Sequence, residues 1–210
     1  PPADILAQDA FGRNVASGWG SADVGGAWTG AGSASAYTVS SGSGQQIVPA
    51  GSTKTSSLST FSASAVDLLV GFTTDKALTG GGDYISAIGR DVGTTNYQAR
   101  VWLQASGAVQ LQLLQGGTAL QLVNIAGLSY TAGTVLQLRL QVFGTSPTTI
   151  RAKVWSSAGT EPSAWQASTT DATAALQPSG SIGLRSYLSG TATDVPVTTR
   201  FSGLVVSPPQ

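Results

Sequence analysis

The chain has 210 residues, ten basic and ten acidic, so formal net charge is zero, and only 10% of residues are charged, well below the roughly 25% of an ordinary globular domain. It contains no Cys, Met or His, which removes disulfides, thiolate nucleophiles, imidazole acid–base catalysis and the commonest transition-metal ligand. The balanced charge lacks the footprint of a nucleic-acid binder, and no apolar run approaches the roughly 20 residues of a membrane span, so no membrane insertion is expected.

Pro1-Pro2 opens the chain and Ser207-Pro208-Pro209-Gln210 closes it. Paired prolines read as stubs of extended linkers, which divides the chain into a linker at 1–8, one module at 9–206 and a linker stub at 207–210, tethered to further domains of a longer chain. The stretch 19–46 is rich in Gly and Ser, but Trp19, Trp28 and Tyr37 argue that it is anchored. Glu occurs once, at Glu161, and Lys three times, so the residues that coat exposed helices are missing. Strands are predicted near 35–40, 45–49, 54–62, 65–74, 84–91, 97–104, 108–115, 119–125, 134–143, 148–155, 164–169, 181–188 and 197–206, separated by Gly-rich turns such as Gly80-Gly81-Gly82-Asp83. About a dozen strands in one domain imply an all-β fold of two packed antiparallel sheets.

Side chains alternate faces along a strand. Tyr97, Ala99, Val101 and Leu103 mark a core face, as do Val109, Leu111 and Leu113, then Leu136, Leu138, Leu140 and Val142, then Ile150, Ala152 and Val154. The opposite faces carry Gln98, Arg100 and Trp102, then Gln112, then Arg139, then Arg151, Lys153 and Trp155, then Arg185 and Tyr187. That set is rich in Gln and Arg and nearly free of carboxylates. Glutamine offers donors and acceptors and arginine a planar fork of donors, while an aromatic ring stacks on the C–H face of a sugar. These ten residues are therefore the candidate ligand platform, expected on one concave sheet face. The alternative is that both tryptophans pack under loops and the polar residues simply face solvent.

The chain resembles the concanavalin A-like, laminin G-like jelly-roll modules of secreted bacterial polysaccharide-active proteins. The segments that carry the resemblance are Asp9-Ala10-Phe11-Gly12-Arg13, Gly18-Trp19-Gly20, Gly25-Gly26-Ala27-Trp28, Tyr97-Gln98-Ala99-Arg100-Val101, Leu138-Arg139-Leu140-Gln141-Val142, Arg151-Ala152-Lys153-Val154-Trp155, Gly180-Ser181-Ile182-Gly183-Leu184 and Arg200-Phe201-Ser202-Gly203-Leu204. The resemblance implies a jelly-roll sandwich that binds glycans on its concave face or rim, and in many members a structural calcium ion. Asp9 is the candidate calcium ligand; Ser202 stands where an acid would be expected after Phe201. No other cofactor is implied.

The fold alone does not decide between enzyme and binder. Glycosidases need two carboxylates flanking the bond. Here the single Glu161 lies in a turn-like Gly-Thr-Glu-Pro context, and the aspartates are scattered. The expectation is a non-enzymatic, extracellular carbohydrate-binding module. The alternative is a structural, adhesive or receptor-binding domain of a surface protein or phage tail.

Overall fold

Fifteen strands form within residues 4–210, the part of the chain that the computed structural model describes. They are β1 (Ala7–Asp9), β2 (Thr29–Gly30), β3 (Tyr37–Ser40), β4 (Ser43–Val48), β5 (Thr53–Ala63), β6 (Val66–Thr74), β7 (Asp83–Val92), β8 (Thr95–Leu103), β9 (Ala108–Gln115), β10 (Thr118–Ser129), β11 (Leu136–Phe143), β12 (Thr148–Ser156), β13 (Ala167–Asp171), β14 (Gly180–Leu188) and β15 (Val197–Ser207). Helical structure among the described residues is confined to single turns at Ala34–Ala36 and Ala174–Leu176.

Two antiparallel sheets result. The eight-stranded sheet runs β13-β12-β11-β6-β15-β4-β3, with β1 added beside β15; the seven-stranded sheet runs β10-β9-β8-β7-β14-β5-β2. The core lies between them, where alternate residues of each strand interdigitate. From the eight-stranded sheet come Leu68, Val70, Phe72, Leu138 and Leu140, and from the seven-stranded sheet Ile85, Val101, Leu103, Leu111 and Leu184, all buried. Each such side chain contributes about 1.5–3 kcal/mol through burial.

The sheet boundary departs from the expected module edge. β1 begins at Ala7, inside the segment 1–8 taken as linker, and Ala7 pairs with Val206 and is fully buried. The reason is local: β15 shifts register between Ser202 and Val205 against β6, and β1 supplies its other partner at that end. Pro1 and Pro2 lie outside the described residues.

The Gly/Ser-rich N-terminal stretch is anchored by its aromatics. Trp19 packs edge-on against Phe11, Trp28, Tyr37 and Phe201, with ring centroids 5.1–6.4 Å away. Gly44 lies under this cluster, where a Cβ would fall 2.6 Å from the Phe11 ring. Polar contacts also tie the sheets together. Gln46 on β4 donates to Ser56 Oγ and the Leu184 carbonyl and accepts from Ser186 Oγ. Thr199 on β15 donates to Asp83 Oδ2 on β7 at 3.0 Å.

Candidate functional site

The register of the seven-stranded sheet lines its outward side chains into rows. One row reads Asn124, Gln110, Trp102, Tyr84, Tyr187 and Thr53 across β10, β9, β8, β7, β14 and β5. The next reads Leu122, Gln112, Arg100, Ser86, Arg185 and Thr55. Beyond it, Gln98 lies opposite Ile88.

The first row is aromatic at its centre. Trp102 and Tyr84 stack in parallel with centroids 5.4 Å apart, and Tyr187 follows Tyr84 at 5.8 Å. Trp102 is fixed by its indole N–H, which donates to the Gly81 carbonyl at 2.8 Å. Tyr187 at the far end is the open ring, 37% exposed. The second row is cationic. Arg100 lies over the Tyr84 ring at 5.2 Å. Its Nε donates to Gln112 Oε1 at 2.6 Å, Gln112 donates to Gln110 and Gln110 to Asn124, a chain of amides that pins the guanidinium. Arg185 Nε donates to Thr55 Oγ1 at 3.0 Å. Gln98 donates to the Gly116 carbonyl and holds the Gly116-Gly117 turn against the sheet.

Between these rows opens a cleft of about 270 Å³, walled by Tyr84, Arg100, Arg185 and Tyr187 with the Gly116-Gly117 turn at its rim. Other depressions, of about 190 and 430 Å³, are lined without a charged side chain. Burial lowers the pKa of both arginines; the Tyr84 phenol opposes this and Arg185 reinforces it at Arg100, and Asp91 opposes it at Arg185. Both stay cationic at neutral pH.

The other expected platform residues lie elsewhere. Arg139 on β11 and Arg151, Lys153 and Trp155 on β12 belong to the eight-stranded sheet, whose outer face points away from the cleft. The single platform predicted from sequence is therefore two faces. Alternation assigns a side to each residue within a strand, but it does not say which sheet the strand joins.

The second face is engaged with itself. Arg139 makes a bidentate pair with Asp67 at 2.7 Å per bond and a further bond to Glu161 at 2.8 Å. Lys153 pairs with Glu161 at 2.7 Å and donates to the Pro162 carbonyl. Arg151 donates to Gln141 and lies 4.5 Å from the Trp165 ring centroid, with Lys153 at 4.8 Å from the same ring. The Asp67 carboxylate raises the Arg139 pKa above its usual range. Burial opposes ionisation of Glu161, but Lys153 and Arg139 outweigh it and hold the carboxyl below its ordinary value. Trp165 and Tyr84 are the residues that sequence reading passed over. Tyr84 had a signal in the alternation of Tyr84 and Ser86 against Ile85 and Ala87; Trp165, before a short edge strand, had none.

No family model and no curated protein matches this chain, but solved structures do. A β-glucanase from Bacillus licheniformis superimposes with a TM-score of 0.61 over 96% of this chain and 97% of its own, at 13% identity. The carbohydrate-binding module CBM66 from Bacillus subtilis gives 0.56 over 86% and 94%, at 13% identity. A legume lectin-like domain from Entamoeba histolytica gives 0.58 over 87% and 90%, at 10% identity. The chain has the concanavalin A-like jelly-roll fold. Enzymes and binding modules both occur among these similar structures, so the fold does not separate the two roles.

Asp9 does not fit the calcium role that the resemblance implied. Its Oδ1 accepts the Phe11 amide and Arg13 Nη1, and its Oδ2 accepts Arg13 Nη2 and the Trp28 indole, all at 2.7–2.8 Å. Four donors fill the carboxylate, and the Arg13 guanidinium occupies the place of a cation. Calcium needs several converging oxygens, and no cluster of three acidic or metal-ligating side chains occurs among the described residues. Asp194, the other acid near the last strand, pairs with Lys76 at 3.0 Å.

Proposed function

We propose that this chain is a non-catalytic carbohydrate-binding module that holds a polysaccharide on the outer face of the seven-stranded sheet, over the cleft between the aromatic and cationic rows. One observation carries the reading: an exposed aromatic ring, Tyr187, stands beside arginine donors that no protein acceptor uses fully. A sugar offers the complement, with an apolar ring face to stack and paired hydroxyls for planar forks. The rows across the cleft hold no Asp or Glu, which favours capture over glycosidic hydrolysis, where two carboxylates are needed. In this reading the module works outside the cell, tethered to a larger secreted protein. Among the described residues no helix is long and apolar enough to cross a membrane.

Tyr187→Ala tests it. Stacking of a nucleic-acid base on an aromatic ring is worth about 1–3 kcal/mol; on that scale, retention in affinity gels of the cognate glycan is expected to fall about fivefold or more. The exposed ring supports little of the core, so the melting temperature should hold. Trp155→Ala, on the opposite face, should leave retention unchanged. Equal loss in both variants, or in neither, overturns the assignment.

One observation favours an adhesive role instead. β10 forms an outer edge of the seven-stranded sheet over twelve residues and carries no charged side chain, and uncharged edges are templates for pairing with another chain. Concentration-dependent association in sedimentation, abolished by Leu122→Lys, would support that reading over the first.

A further inference from the structure

We propose that the cleft takes an acidic sugar unit, its carboxylate or sulfate held between the guanidinium groups of Arg100 and Arg185. This rests on the carbohydrate-binding reading and names the ligand class for the same site.

Arg13, Lys76, Arg139 and Lys153 each meet a carboxylate within 3.0 Å; Lys54, Arg151 and Arg200 take part in no ion pair among the described residues, and none of them lines the cleft. Arg100 and Arg185, which do, meet no carboxylate either: neither takes part in any ion pair among the described residues. Asp91 sits at the end of β7, but its carboxylate accepts from Asn96 at 2.9 Å rather than from Arg185. The two guanidiniums are part-buried, on strands that flank β7, with Cα atoms about 9–10 Å apart across two strand spacings. The residue between them is the small Ser86.

Two like charges held together without a counter-ion are unfavourable in a part-desolvated site. The fold nevertheless fixes them. Each is gripped through Nε alone, by a neutral acceptor, Gln112 Oε1 or Thr55 Oγ1. That arrangement orients the planar forks and leaves the Nη groups, and the charge, free. Carboxylates and sulfates accept such forks in bidentate fashion. The neighbouring Tyr187 ring lies one residue pair along the strands, close enough to stack the ring that carries the acid. A neutral glycan would satisfy the hydrogen bonds and leave the paired charges uncompensated.

The test uses the intact chain on a glycan array holding polygalacturonate, alginate, sialyllactose, a sulfated galactan, the carboxyl-reduced polymers and neutral glucans, followed by calorimetry on the hits. Binding to a uronate that disappears in its carboxyl-reduced form supports the proposal with a carboxylate as the anion. Binding to the sulfated galactan alone supports it with a sulfate. In either case raising NaCl from 50 to 500 mM weakens binding, and Arg185→Gln weakens it tenfold or more. Arg185→Lys keeps charge without the fork and recovers only part. The array and the salt series need no variant, so a variant that fails to fold does not rescue or sink the idea. If every bound glycan is neutral and Arg185→Gln binds it as well as the parent while Tyr187→Ala does not, this inference fails and carbohydrate binding stands. If no glycan of any class is bound, both fail.

Discussion

Arg90→Ala is expected to cost about 3–5 kcal/mol of stability, because it leaves several buried acceptors unpaired at about 1–3 kcal/mol each, and to lower the melting temperature by roughly 10 °C or more for a chain of this size. Arg90 is 1% exposed and sits on β7 with a left-handed backbone, φ 52°. The strand bulges there, shifting register against β8 between Gly89 and Val92. Gly89 faces the core, where a Cβ would meet Val142, Leu140 and Val66, so strict alternation would send residue 90 outward. The bulge turns it inward instead. Its guanidinium then reaches the end of the opposite sheet, donating to Thr148 Oγ1 at 2.6 Å and to the carbonyls of Leu176, Gly144 and Ser64. Removing it strands those acceptors and opens one end of the sandwich. Arg90→Lys keeps the charge but not the fork and should recover little. Urea unfolding of both variants measures this; a loss under 1 kcal/mol in the alanine variant would show that the clasp is not structural.

The second large effect is in pH. Asp83 is fully buried, and burial raises its pKa from 3.8 to about 7, against the opposing bonds from Thr199 and the Tyr84 amide. The folded state therefore keeps a proton that the unfolded chain releases above pH 4. The stability this contributes is fully present below pH 3.8, is lost as pH rises toward 7, and is gone above it. The slope is about 1.4 kcal/mol per pH unit and the total about 4 kcal/mol. Glu161 and Asp171, whose pKa values are lowered, act in the opposite sense only below their ordinary pKa, so the window from pH 5 to 7 belongs to Asp83. Asp83→Asn should flatten that slope and unfold at higher urea than the parent at pH 8. An unchanged slope in the variant contradicts the assignment.

Alternation carried most of the fold. Most strands from Tyr37 to Ser207 fall where apolar and polar residues alternate, because one face of each is buried; β10 buries no residue fully and β13 only Ala167. β1 and β2, three and two residues long, are too short for a period to show. The site was half legible. Gln98, Arg100, Trp102, Gln112, Arg185 and Tyr187 do share a face, since they lie on strands of one sheet. Arg139, Arg151, Lys153 and Trp155 have the same composition and the same pattern, yet long-range pairing puts them on the other sheet. What separates the two faces is invisible in one dimension: Asp67, Glu161 and Trp165 arrive from distant segments to neutralise or cover one set of cations, whereas Arg100 and Arg185 meet only neutral acceptors, Gln112 and Thr55, and form no ion pair among the described residues. Trp102 itself is less open than its sequence context implied, because Tyr84 stacks on it and Gly81 binds its indole; Tyr187 takes over as the exposed ring.

We place the ligand on the seven-stranded sheet, not on the eight-stranded one. A glycan titration of the isotopically labelled chain, followed by amide, indole and guanidinium NMR shifts, separates the two faces. The expected result is saturable shifts at Tyr84, Arg100, Trp102, Arg185, Tyr187 and the Gly116-Gly117 turn, with Arg139, Arg151, Trp155 and Trp165 unmoved. Shifts that gather instead on β11 and β12 would contradict it.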